Sequence, residues 1–143
     1  GDVVAAFDGF GRRVCETASQ QQGTQNTAPL SFQKLDGAKN NVLQRFGHDI
    51  SAPLTPDEWN NLRTVFQKRH VLAHRMGVVD AAYLQKTGDP TAMVGRKLRL
   101  DGAEVLEAIR ILRVVAKNLH EALLPPPALS APRIGDHAGG TSP

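Results

Sequence analysis

The residues in this chain best equipped for chemistry fall within six positions, Arg69-His70-Val71-Leu72-Ala73-His74. An imidazole that titrates near neutrality can take or give a proton, and an arginine, always charged and bidentate, can hold a phosphate. Their setting sharpens the point. Trp59, Leu62, Phe66, Ala73 and Met76 recur at alternating three- and four-residue steps, and Arg69 occupies the place in that series where an apolar residue belongs. Burying an unpaired guanidinium costs several kcal/mol or more, so the register predicts that Arg69 faces a partner, an anion or a wet cleft. The plainer alternative is an arginine at the core edge, salt-bridged to Glu104 or Glu107.

His70 and His74 are also four residues apart, a spacing that suits zinc. The pattern holds no glutamate between them, Cys15 is far away in sequence, and third ligands such as His48 or His120 would have to be assumed. The sequence therefore assigns neither a metal nor any other cofactor. No P-loop or dinucleotide fingerprint is present.

The elements that must position these residues read as helices. Val3, Phe7, Phe10, Val14 and Ala18 predict a first helix to about Ser19, followed by a glutamine-rich loop from Gln20 to Ala28. Ser31 is a candidate N-cap for a second helix carrying Phe32, Leu35, Val42, Leu43 and Phe46. Thr55-Pro56-Asp57-Glu58 is the strongest local signal, a capping box with proline at the first helical position, and it starts the helix that carries Arg69 to His74 and stops or bends around Gly77. A short helical piece spans Asp80 to Lys86, and the stretch from Met93 to Leu100 alternates enough to be a short strand or an extended connector. Asp101 caps the most regular stripe of all, Val105, Ile109, Leu112, Ala116, Leu119 and Leu123, which three prolines from Pro125 bring to an end. The sum is an all-α domain of four to five helices over 1–124, a bundle, with a disordered or extended Pro/Gly-rich tail over 125–143.

Bulk properties agree with one domain. The chain has 143 residues, 41% hydrophobic and only 5% aromatic, so the core must be aliphatic. A net charge of +3 tolerates a polyanionic partner without demanding one. With Cys15 the only cysteine, no intrachain disulfide can form, and there is neither a spanning apolar run nor a signal-peptide pattern; a cytoplasmic protein without a membrane partner is expected. The tail and the absence of an initiating methionine fit a domain excised from a longer protein.

Arginine, a polar residue, three further residues and histidine form the signature of the HEPN superfamily (higher eukaryotes and prokaryotes nucleotide-binding domain), which this chain resembles. Phe66 to Asp80 is similar to that family's motif helix and the glycine-hydrophobic-aspartate segment after it, and Tyr83, Thr87-Gly88 and Val94-Gly95 to Leu100 look like its course into the last helix. The resemblance covers roughly the middle and C-terminal thirds. It implies a metal-independent endoribonuclease acting as a homodimer, with Arg69 and His74 as catalytic candidates, His70 supporting, and RNA cut by attack of its 2′-hydroxyl on the neighbouring phosphate. It further implies a defence, stress or toxin setting, in which further domains of a parent protein or an antitoxin could be partners, or else a catalytically silent dimerisation or binding module.

Wheel geometry bears on the dimer independently. At 100° per residue His74 falls roughly 60° beyond Trp59, on a different face from Arg69, so one straight helix cannot aim both at a single atom. A two-fold pairing of the motif helix would bring two arginines and two histidines together. Around the motif Arg63, Lys68, Arg75, Arg96, Lys97 and Arg99 form a loose basic set; the first five are the candidates for RNA contacts, against the alternative of a solvated face. Tyr83 is the only tyrosine, so base stacking on an aromatic platform is not expected.

Overall fold

The computed structural model describes residues 2–23 and 30–125; most of the expected loop and nearly all of the expected tail lie outside them. Among the described residues the regular structure is all α-helix, with five helices in the order α1 (Val3–Gln22), α2 (Leu35–Phe46), α3 (Pro56–His74), α4 (Ala81–Thr87) and α5 (Gly102–Leu123).

Helix boundaries follow local chemistry. Asp2, Asp80 and Asp101 each cap a helix by accepting a backbone N–H, and at α3 and α5 the caps become reciprocal boxes, Thr55 with Glu58 and Asp101 with Glu104. Gly23, Gly47 and Gly88 close α1, α2 and α4 in the left-handed conformation that glycine adopts without steric cost. α1 runs on through Gln22, into what the sequence predicted as loop. α2 starts later than predicted: Ser31 caps no helix, and Phe32 and Gln33 are tethered by Asp8 of α1 instead. The Asp8 carboxylate accepts from the Phe32 backbone N–H at 2.6 Å and from the Gln33 side chain at 3.4 Å. A long-range hydrogen bond to a buried carboxylate thus outcompetes a local cap.

That tether seats the Phe32 ring in the centre of the main core, edge-on to Phe7 at a centroid distance of 5.5 Å, while Phe7 meets Phe66 of α3 the same way at 6.4 Å. Around them pack Leu35 and Val42 of α2, Leu62 of α3, and Ile111, Val115 and Leu119 of α5, so α1, α2, α3 and α5 share one apolar interior. A second, smaller cluster, Val71, Val79 and Tyr83, packs the end of α3 against α4. The segment 93–100 forms no strand. Its sole ladder element is an isolated antiparallel bridge between Val78 and Lys97.

No helix among the described residues is long and apolar enough to cross a membrane.

Candidate functional site

The two cores explain what happens to α3. Its first half buries Leu62 and Phe66 against the main core, whereas its last turns bury Val71 against the small one, so the buried stripe swings by about 140° between Phe66 and Val71 at 100° per residue. The expected apolar arc therefore runs out of core halfway along the helix. Its continuation, Arg69, Ala73 and Met76, leaves the interior: Ala73 is exposed and Met76 is 88% accessible, and Leu72 beside them is 43% accessible. Burial of Ala73 and Met76, which periodicity predicted, is thus overturned by the position of the second cluster.

Arg69 sits on this uncovered face. Neither Glu104 nor Glu107 takes its charge; its partner is Asp2, whose Oδ2 accepts from the Arg69 Nε at 3.0 Å and from Nη2 at 2.5 Å. Asp2 does two things at once, because its other oxygen caps α1 through the Val4 backbone N–H at 3.0 Å. The Arg69 hydrogen bonds are the main reason the Asp2 carboxyl lies below the ordinary carboxylate range, with the Val4 amide adding to the effect. Both side chains remain open to solvent, 32% and 42% accessible, and exposed pairs of this kind are worth at most about 1 kcal/mol. The guanidinium is held, yet it can be exchanged onto another anion at small cost.

His70 and His74 lie one turn apart on the exposed side of α3 with ring centroids 4.8 Å apart. The His70 pKa lies below its ordinary value, chiefly through desolvation, with the charges of His74, Lys86 and Arg75 acting in the same direction and Asp80 opposing. α3 ends directly at His74. Arg75 is its C-cap, and Met76 and Gly77 both take positive φ (55° and 78°), reversing the chain so that the Arg75 and Gly77 amides donate to the Val71 carbonyl. His74 is therefore placed on the last helical turn, beside a fixed reversal. No group of three or more His, Cys, Asp or Glu with metal-binding geometry occurs among the described residues.

The basic candidates separate into two kinds. Lys68 is no surface cation: it is 5% exposed, and its ammonium donates to Glu104 at 2.5 Å and to the Arg99 carbonyl at 3.0 Å. Burial without a partner would be prohibitive, so Glu104 is what allows Lys68 into the interior, where its charge is already paired within the chain. Arg63 hydrogen-bonds Asp36 of α2 at 3.0 Å, and Arg75 lies 3.5 Å from Asp80. Arg96 and Lys97, by contrast, are exposed, and among the described residues no carboxylate forms an ion pair with either.

Sequence reasoning missed Asp2 altogether. Its signal was present, since an aspartate directly before the first apolar-periodic residue is an N-cap signature, but the pairing with Arg69 spans 67 positions and leaves no local trace. No protein-family model, curated protein or solved structure matches this chain.

Proposed function

We propose that this domain is a metal-independent endoribonuclease of the HEPN type whose site is completed by a second copy across the motif face of α3. The observation that carries this reading is the uncovered continuation of the apolar stripe, with Arg69 inside it, and His74 exposed on the next face of the last helical turn. An apolar helix face left in water next to a phosphate-binding guanidinium and a proton-exchanging imidazole is the surface that self-association would cover.

In the proposed reaction a histidine takes the proton from the RNA 2′-hydroxyl as that oxygen bonds to phosphorus. Arg69 leaves Asp2 for the phosphate and stabilises the added negative charge. The bond from phosphorus to the 5′-oxygen breaks, that oxygen receives a proton from an imidazolium, and the products are a 2′,3′-cyclic phosphate and a 5′-hydroxyl end. DNA, lacking the 2′-hydroxyl, could bind but would not be cut. A defence, stress or toxin role within a longer protein belongs to this proposal and rests on the resemblance alone.

The test is incubation of the purified domain with single-stranded RNA in chelator, comparing wild type with Arg69→Ala and His74→Ala, with and without an enforced dimer. Cleavage by wild type that disappears in both variants supports the reading. Cleavage surviving in both, or none from the enforced wild-type dimer, refutes it.

One observation favours a second reading, that of a catalytically silent dimerisation or binding module: Arg69 already has an intramolecular carboxylate partner in Asp2. Self-association without cleavage would establish it.

A further inference from the structure

The positive charge around the motif is unevenly neutralised. Arg63, Lys68, Arg69 and Arg75 each face a carboxylate of this chain, Asp36, Glu104, Asp2 and Asp80 respectively. Arg96, Lys97 and Arg99 are all exposed, and no ion pair among the described residues involves any of them. These three cations line an open groove of ≈ 520 Å³, together with Lys68, Asp89 and Met93. Asp89 also lines the groove and keeps its negative charge, its carboxylate accepting from the Tyr83 hydroxyl at 2.7 Å and from the Thr91 amide and hydroxyl at 2.9 and 2.7 Å, so the three exposed cations face a single carboxylate and remain in excess.

The segment is also held in place. The Val79 amide donates to the Arg96 carbonyl at 2.8 Å, the Gly95 amide to Val79 at 2.8 Å and the Leu98 amide to Gly77 at 2.7 Å, which fastens the basic stretch to the reversal that ends the motif helix. Leu98 packs on the small core and anchors it further. Three cations without an ion-pair partner, beside a groove and on a backbone fastened to the reversal that ends α3, can track successive phosphates.

We propose that the groove bounded by Arg96, Lys97 and Arg99 binds the sugar-phosphate backbone of a nucleic-acid strand. The proposal rests on reading the domain as one that acts on RNA and identifies where the strand runs outside the reacting phosphate. No aromatic side chain lines the groove, so recognition is by backbone charge and independent of base sequence.

The experiment measures binding rather than cleavage. Anisotropy of a short labelled oligouridylate and of its 2′-deoxy counterpart is followed across a salt series in the Arg69→Ala background, where the proposed chemistry is disabled. The triple variant Arg96→Gln/Lys97→Gln/Arg99→Gln is compared with Arg13→Gln/Lys34→Gln/Arg113→Gln, which removes the same charge from exposed, unpaired cations elsewhere. Circular dichroism melting checks that both fold. The expected result is that the groove variant lowers affinity at least about tenfold and flattens the slope of log K against log salt by about 2, at roughly 0.7 per single-strand phosphate contact, for both oligonucleotides, while the control triple stays near the parent. Equal losses in the two triples, an unchanged slope in the groove variant, or no salt-dependent binding by the parent would overturn the groove. Cleavage by wild type that survives loss of Arg69 and His74 would refute the ribonuclease reading and leave the groove standing.

Discussion

Asp2 holds the Arg69 guanidinium with one oxygen and caps a helix with the other, and these roles can be separated by substitution. Asparagine is as good an N-cap as aspartate but carries no charge, so Asp2→Asn should change the melting temperature little while freeing Arg69, raising RNA affinity and any cleavage rate several-fold. Asp2→Ala should free Arg69 equally but cost about 1 kcal/mol of stability through the lost cap, measured by urea unfolding. Unchanged RNA binding in both variants would mean that Asp2 is only a cap. His70 supplies a second prediction at this scale. Its pKa in the folded chain lies below the ordinary 6.5, so the unfolded chain binds the proton more readily, and the stabilising contribution present above 6.5 is lost as pH falls through the folded value. Thermal melts between neutral and mildly acidic pH should show this decline, and His70→Gln should reduce it, with the acidic side chains still ionised across that window.

At the scale of elements, packing contacts explain both what the sequence disclosed and what it hid. Gly11 of α1 lies so close to the Phe32 ring that an added Cβ would fall 2.6–2.7 Å from three ring atoms. Gly11→Ala should therefore cost about 1–3 kcal/mol by overpacking, despite the better helix propensity of alanine; a stabilised variant would show that the Phe32 seat is loose. In the sequence the same glycine only weakened a helix, because its partner is 21 positions away and in no regular element. Capping boxes were legible at Thr55 and caps at Asp101 because they are written within four consecutive residues. The stripe of α5 was legible at Leu112, Leu119 and Leu123, which are buried as the period requires, whereas its Val105, Ile109 and Ala116 are only half-buried and the core takes Ala108, Ile111 and Val115 from the adjoining positions instead. The stripe of α3 misled at Ala73 and Met76 because two cores share that helix. Lys68 misled for a related reason: a lysine reads as surface unless its carboxylate can be seen, and Glu104 is 36 residues on. Replacing Lys68 by methionine, of similar length and without charge, should leave the fold intact, whereas Glu104→Ala, which orphans a buried ammonium and breaks the α5 capping box, should be the more damaging change by chemical denaturation.

On the scale of the whole molecule, the all-helical class could be read from the sequence because it is a sum of local periods, whereas the site depends on which faces the bundle leaves uncovered. That property belongs to the assembled cores, and here it leaves Arg69, Leu72, Ala73 and Met76 together in solvent. Met76 is the sharpest probe of what covers them, since it is 88% accessible and holds a left-handed backbone with φ 55°. Asparagine tolerates that conformation better than methionine, so Met76→Asn removes apolar surface without imposing backbone strain and should melt at or slightly above the wild-type temperature. A polar amide is far costlier to bury between two helices than a thioether, so under the proposed self-association the same variant should weaken the dimer several-fold in sedimentation and lose RNA cleavage in proportion. An enforced dimer should then restore cleavage to Met76→Asn but not to Arg69→Ala, because only the second lacks a group that touches the phosphate. Wild type that stays monomeric at all concentrations and cuts RNA nonetheless would place the complete site within one chain, and the exposed methionine would then have no part in it.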